Sequence, residues 1–205
     1  MARPRKFTDE RLLTAAGVVI SRLGPGFTLA DVAREAGVAV GTVAQRFGSK
    51  HGLLAAMTRA AVRSTREGMR TAAEADGDPV VAVIELLVGA FAPLDDPGRA
   101  ANNLAQLAVD LADEELRGLL AELHAALEDG LVPLLERAVR EGRLPGAPAA
   151  RVAARVLAAV ADGTALHWSA RPAGGLCDRL RTDLGAVLTG WSHGSDVTIE
   201  GSEGM

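Results

Sequence analysis

The sequence predicts an all-α protein: an N-terminal three-helix bundle followed by a larger C-terminal helical bundle. Three observations carry this. Apolar residues recur at helical spacing along nearly the whole chain. Glycine and proline clusters cut that pattern at helix-length intervals. No segment alternates apolar and polar residues with the β-branched enrichment that a strand needs.

Taken in order, the first helix spans Thr8 to Leu23. Thr8 is placed to cap it, and Asp9 and Glu10 suit its positive N-terminal end. Leu12, Ala16, Val19, Ile20 and Leu23 share one face, and Gly24-Pro25-Gly26 stops the helix. Thr28 then caps a second helix, with Asp31 three residues later in a near capping box. Val32, Ala33 and Ala36 form its inner face. Gly37 ends it, because glycine adopts the left-handed conformation without steric cost. Val38 plugs the small core after the turn. The next helix turns Val43 and Phe47 inward and Val40, Gly41, Thr42, Ala44, Gln45 and Arg46 outward. Gly48-Ser49 breaks the chain again, and Ser49 caps a helix that starts near Lys50.

Beyond Lys50 the pattern stays helical: a long helix to about Ala75, then Val80 to Phe91, Arg99 to Ala112, and Asp113 to Glu141. Pro133 is expected to kink or split the last of these. Gly142 to Pro148 reads as a loop. Two more amphipathic helices follow. Val152, Val156, Ala159, Val160 and Gly163 make one stripe, and Leu157, Ala161 and Ala165 another. Leu180, Leu184, Val187, Leu188 and Trp191 make the stripe on the final helix. These stripes serve either a partner molecule or the internal core. From Ser192 onward the chain is polar and Gly/Ser-rich, and it reads as a flexible tail. The expected organisation is residues 1–50 as a head with a basic arm (Arg3, Arg5, Lys6), 51–191 as a body, and 192–205 as the tail.

Charge is distributed unevenly. The net charge is −4, yet residues 1–51 carry eight Lys/Arg against four Asp/Glu, and the remainder fourteen against twenty-two. A basic head on an acidic body fits a protein that meets nucleic acid through one end. The single cysteine, Cys177, excludes an internal disulfide framework and a Cys-rich zinc site. No apolar run reaches the length of a membrane span, and no signal peptide is visible, so the expected location is the cytoplasm.

Two short helices joined by a Gly-containing turn, with a third starting at once, are the pattern of a helix-turn-helix reader of DNA. The stretch from Gly26 to Leu54 resembles the N-terminal domain of TetR-family transcriptional regulators. The residues that carry the resemblance are Phe27-Thr28, Asp31-Val32-Ala33, Ala36-Gly37-Val38, Gly41-Thr42-Val43, Phe47-x-Ser49-Lys50 and Leu53-Leu54. The three-helix head that holds it, residues 1–50, is about a quarter of the chain. It departs at Ala44, where the family usually has a Tyr that touches the DNA backbone; this chain has no Tyr at all. Either another group supplies that contact or the affinity is lower.

On this reading the outward face of the second motif helix enters the major groove. Arg46 is the candidate for guanine O6 and N7, Gln45 for adenine N6 and N7, and Val40 and Ala44 for thymine methyl groups. Gly41 lets the backbone approach. Thr28, Thr42 and Lys50 are cast as phosphate contacts, which fix register without reading sequence. The bland alternatives are a surface Arg46 paired to an acid, a merely solvated Gln45 and a silent arm.

The resemblance further implies dimerisation through the last two helices, a palindromic double-stranded DNA operator, and a small-molecule effector bound in the body. Candidate effector contacts are Asn103, Gln106 and Asp110, with neighbouring Asn102, on one helix, and His124, His167 and Trp168. For each histidine, ordinary packing or surface exposure is the commoner role, and Trp168 and Phe91 are commonly packing residues. Aromatics make up only 3% of the chain, which favours an aliphatic lining. No cofactor and no metal are expected. The four histidines lack HExxH-like spacing, and there is no GxSxG, phosphate-binding glycine loop or GxGxxG, so enzymatic chemistry is not expected. The competing class is a dimeric ligand- or protein-binding regulator with weakened DNA binding.

Overall fold

The structure, a computed structural model, describes residues 8–193. Among them are nine α-helices and no strand. The basic arm and most of the polar tail lie outside the described residues, although Ser192 itself closes the last helix.

The head is built from α1 (Asp9–Leu23), α2 (Leu29–Ala36), α3 (Val40–Phe47) and the start of α4 (Lys50–Glu74). Local chemistry sets the boundaries of α2. Thr28 accepts a hydrogen bond from the Asp31 amide while the Asp31 carboxylate accepts from the Thr28 amide, a complete capping box. Gly37 closes the helix at φ 68°, ψ 40°. Ser49 likewise caps α4, accepting from the Gly52 amide at 3.0 Å. Thr8 is different. It occupies the N-cap position of α1, but its side chain makes no cap hydrogen bond.

The apolar faces close on one another. Leu12, Ala16, Val19 and Ile20 of α1 meet Phe27, Val32, Ala33 and Ala36, then Val43 of α3 and Leu53 of α4. Val38 and Phe47 are half-buried against this core. Leu116 and Leu119 of α7 (Glu114–Arg140) complete it, so a helix of the body roofs the head.

The second core joins α4 and α7 to α5 (Pro79–Phe91), α6 (Pro97–Ala112), α8 (Ala150–Ala170) and α9 (Leu176–Ser192). α4 and α7 make the most extensive helix–helix contact, and both run from one core to the other. With 25 residues, α4 spans roughly 37 Å at 1.5 Å per residue. Gly130 lets the two helices close up: a Cβ there would lie 2.5 Å from the Met69 Cβ.

Pro133 does not split α7, which is continuous from Glu114 to Arg140. Pro133 and Asp129 both sit on the exposed side of the helix. The Asp129 carbonyl that loses its partner to proline therefore faces solvent, where it stays hydrated. The loop from Gly142 to Pro148 is held to the end of α9 by the Gly146 amide, which donates to the Trp191 carbonyl at 2.8 Å.

The stripes on the last two helices divide. Leu157, Ala161 and Ala165, with Leu180, Leu184 and Leu188, are buried in the second core. Val152 and Val156 are instead 40% and 36% exposed, and Leu166 beyond them is 53% exposed. The internal-core explanation accounts for the first group and leaves an apolar outer face on α8.

Candidate nucleic-acid interface and clefts

The turn between α2 and α3 positions the candidate reading surface. Gly37 reverses the chain, Val38 anchors it, and Val43 locks α3 by its fully buried inner face. Arg11 steadies the end of α2 by donating to the Ala36 carbonyl at 2.9 Å. With Val43 inward, helical geometry turns Val40, Gly41, Gln45 and Arg46 into solvent, with Thr42 and Ala44 half-exposed beside them. α3 has no side-chain cap, so its first backbone N–H groups lack a side-chain partner. An uncapped helix N-terminus of this kind accommodates a phosphate oxygen.

The candidate phosphate and base contacts are not equally free. The Gln45 side chain is exposed and makes no hydrogen bond among the described residues. Arg46 is bound across the head to Asp9, donating from Nε and, at 2.7 Å, from Nη2. This pairing raises the guanidinium above its ordinary pKa, chiefly through the hydrogen bonds. The Thr28 hydroxyl donates to Asp31 at 2.6 Å, and that bond pulls the Asp31 carboxyl below its usual range. Lys50 donates to the Pro25 carbonyl at 2.5 Å and stands 4.2 Å from the centroid of the Phe27 ring. An ammonium carries three donors, so this leaves two.

The candidate effector contacts fall into separate places. Asn102 and Asn103, the chain's only asparagines, tie α6 to α1: Asn102 donates to the Ser21 carbonyl at 3.0 Å and Asn103 to the Ser21 hydroxyl at 3.2 Å. Gln106, only 4% exposed, donates to Asp110 at 2.7 Å, while its own Oε1 is buried without a partner. Burial raises the Asp110 carboxyl, against the opposing pull of that hydrogen bond. His124 lies 3.8 Å from Asp162 on the surface. His167 and Trp168 alone share a cleft, about 830 Å³, with Thr164, Leu166, Arg179 and Asp183. The Trp168 indole N–H donates to the Gly174 carbonyl at 3.2 Å, which makes the ring part of the wall rather than a free donor.

A second cleft, about 700 Å³, lies between α1 and α6, with Val18, Ser21, Arg99 and Asn102 among its lining. Sequence periodicity could not place it, because its walls come from residues some eighty positions apart. No group of His, Cys, Asp and Glu that could hold a metal ion occurs among the described residues.

A helix-turn-helix whose second helix turns its outer face to solvent, mounted on a larger helical body, is the architecture of a DNA-binding transcriptional regulator. The sequence profile for "Bacterial regulatory proteins, tetR family" matches residues 12–57. The HTH-type transcriptional regulator BetI of Stenotrophomonas maltophilia is 34% identical over 163 residues, covering 78% of this chain and 80% of BetI. The HTH-type transcriptional regulator TtgR of Pseudomonas putida is 30% identical over 151 residues, 71% of each chain. SmeT, the repressor of the S. maltophilia multidrug efflux pump SmeDEF, has the same fold at a TM-score of 0.66 and 22% identity, with 96% of each chain covered. The chain belongs to the TetR family of transcriptional regulators. Members of that family are DNA-binding proteins, not enzymes. No described helix is long and apolar enough to cross a membrane.

Proposed function

We propose that this protein is a homodimeric repressor that binds a palindromic operator and is released from it by a small molecule. The observation that carries the reading is α3, which buries Val43 and turns Val40, Gly41, Thr42, Ala44, Gln45 and Arg46 outward from an uncapped N-terminus. Arg46 and Gln45 read base edges, Val40 and Ala44 meet thymine methyls, and Thr28, Thr42 and Lys50 hold phosphates. Residues 1–50 act as the DNA head, 51–191 as the effector and dimer body, and 192–205 as a tail. A regulator of this kind works beside the chromosome, in the cytoplasm.

The dimer rests on the exposed face of α8, where Val152, Val156 and Leu166 have no cover among the described residues. A two-fold dimer carries two α3 helices to two half-sites, which a palindrome supplies. Of the candidate effector contacts, His167 and Trp168 have the strongest support, because they line one cleft. Asn103, Gln106, Asp110 and His124 are secondary. An effector re-spaces the heads and so weakens operator binding.

A specific observation favours weaker DNA binding as the second reading. Ala44 offers no phenol, and both Thr28 and Lys50 are engaged within the head. Selection of binding sites from a random-sequence duplex pool, followed by sedimentation of the complex, separates the two readings. The repressor reading predicts a two-fold repeated site occupied by two chains or a multiple of two. Enrichment of no sequence supports the weakened regulator instead.

A further inference from the structure

We propose that Asp9 determines the base specificity of Arg46, holding the guanidinium by one edge so that the other is presented to a guanine. This deepens the reading of α3 as the recognition helix and rests on it.

The pair joins the first residue of α1 to the second-last residue of α3, 37 positions apart. Asp9 Oδ1 accepts from Arg46 Nε, and Oδ2 accepts from Nη2 at 2.7 Å. Those two donors form the side edge of the planar guanidinium. Arginine has five N–H donors, so both hydrogens on Nη1 and the second on Nη2 remain. The second on Nη2 and the neighbouring one on Nη1 form the end edge, whose spacing matches O6 and N7 of guanine. A carboxylate on the side edge leaves the base-reading edge free and fixes the plane in which it lies.

Stability does not explain the arrangement. The Arg46 and Asp9 side chains are 60% and 43% exposed, and exposed ion pairs contribute little to folding. Among the described residues, the other arginine hydrogen bonds of the head include Arg22 to Glu35 and Arg11 to the Ala36 carbonyl, both from α1 to α2, and Arg34 to Asp31 within α2. Arg46 is the arginine of the recognition helix, and it is held there from α1. A long side chain fixed in advance gives up less freedom when it meets its target. Asp9 also brings a negative charge toward the phosphates, which weakens binding to any sequence. It therefore has opposite effects on two measurable quantities: it lowers general affinity and raises discrimination.

The test uses the full chain and a duplex selected by it from a random pool. Wild type, Asp9→Ala, Arg46→Ala and the double variant are compared on that duplex, on single-base variants at each G·C pair, and on a scrambled duplex. Far-UV circular dichroism verifies folding of each. Asp9→Ala is expected to bind the scrambled duplex at least as tightly as wild type, yet to lose about tenfold discrimination at one G·C pair. Arg46→Ala is expected to lose discrimination at that same pair, with the double variant no worse. If Asp9→Ala keeps full discrimination while Arg46→Ala abolishes it, or tightens every duplex equally, the role of Asp9 is overturned and the reading of Arg46 stands. If Arg46→Ala changes no base preference, the reading beneath the proposal fails as well.

Discussion

Phe27 offers the sharpest perturbation of the head. Its side chain is 2% exposed at the centre of the first core, with the Lys50 ammonium 4.2 Å from the ring centroid. Phe→Ala in a packed core costs about 3–5 kcal/mol, and loss of the cation–π contact adds about 0.5–1 kcal/mol. Whole domains are stable by only about 5–15 kcal/mol, so a small core bearing such a loss melts well before the body. The molecule supplies two reporters. Trp168 and Trp191 both pack in the second core, and there is no Tyr, so intrinsic fluorescence follows the body. Helices α1, α2 and α3 contain 15, 8 and 8 residues, about a fifth of the α-helix, so circular dichroism also registers the head. Phe27→Ala should lose about a fifth of its far-UV ellipticity in an early transition, at temperatures where tryptophan fluorescence is still native. Coincident transitions in both signals, or an unshifted melt, would refute the separability of the two cores.

Other perturbations address the body and its junction with the head. Asp110 is a carboxyl raised by burial, so between its unfolded and folded pKa values the native state holds a proton that the unfolded chain has lost. Its contribution to stability falls as pH rises through that window, above the ordinary aspartate value. Asp110→Asn should raise the neutral-pH Tm and flatten this part of the pH–stability profile; a lower Tm counts against the assignment. Gly130→Val places side-chain atoms against the Met69 stem and should cost about 1–3 kcal/mol by denaturant titration. An unchanged midpoint would contradict the close α4–α7 approach. Lys50→Ala should weaken binding to every duplex alike while lowering the melting temperature of the head; a loss confined to one operator base would contradict a phosphate role.

Local chemistry was the legible part of this molecule. Thr28 with Asp31, Gly37 at the end of α2 and Ser49 before α4 announce themselves because a cap is written within four residues of the bond it makes. The inner faces of α1 to α3 followed from periodicity, as did the buried Leu180, Leu184 and Leu188 of α9. Thr8 and Pro133 show where local rules yield. Thr8 has cap chemistry but makes no cap bond, and Pro133 lies on an exposed helix face that tolerates a missing amide. Bonds between distant elements left no mark in the sequence. Asp9 with Arg46, Lys50 with the Pro25 carbonyl, Asn102 and Asn103 with Ser21, and the Leu116–Leu119 roof over the head depend on how helices meet. Asp95 belongs with them: its carboxylate accepts from the Leu176 amide at the start of α9, from 81 residues away. An aspartate in the Asp95-Asp96-Pro97-Gly98 run reads as part of a local turn, and its remote role has no periodic signature.

Equilibrium binding of the purified protein to the duplex flanking its own gene, titrated across salt with a scrambled duplex as control, decides whether the head reads DNA. A sequence-reading α3 gives tighter binding to the native duplex. The logarithmic salt slope is then about −4 or steeper, as several neutralised phosphates require. Equal affinity for both duplexes with a shallow slope, together with no sequence enriched from a random pool, would contradict a sequence-reading head.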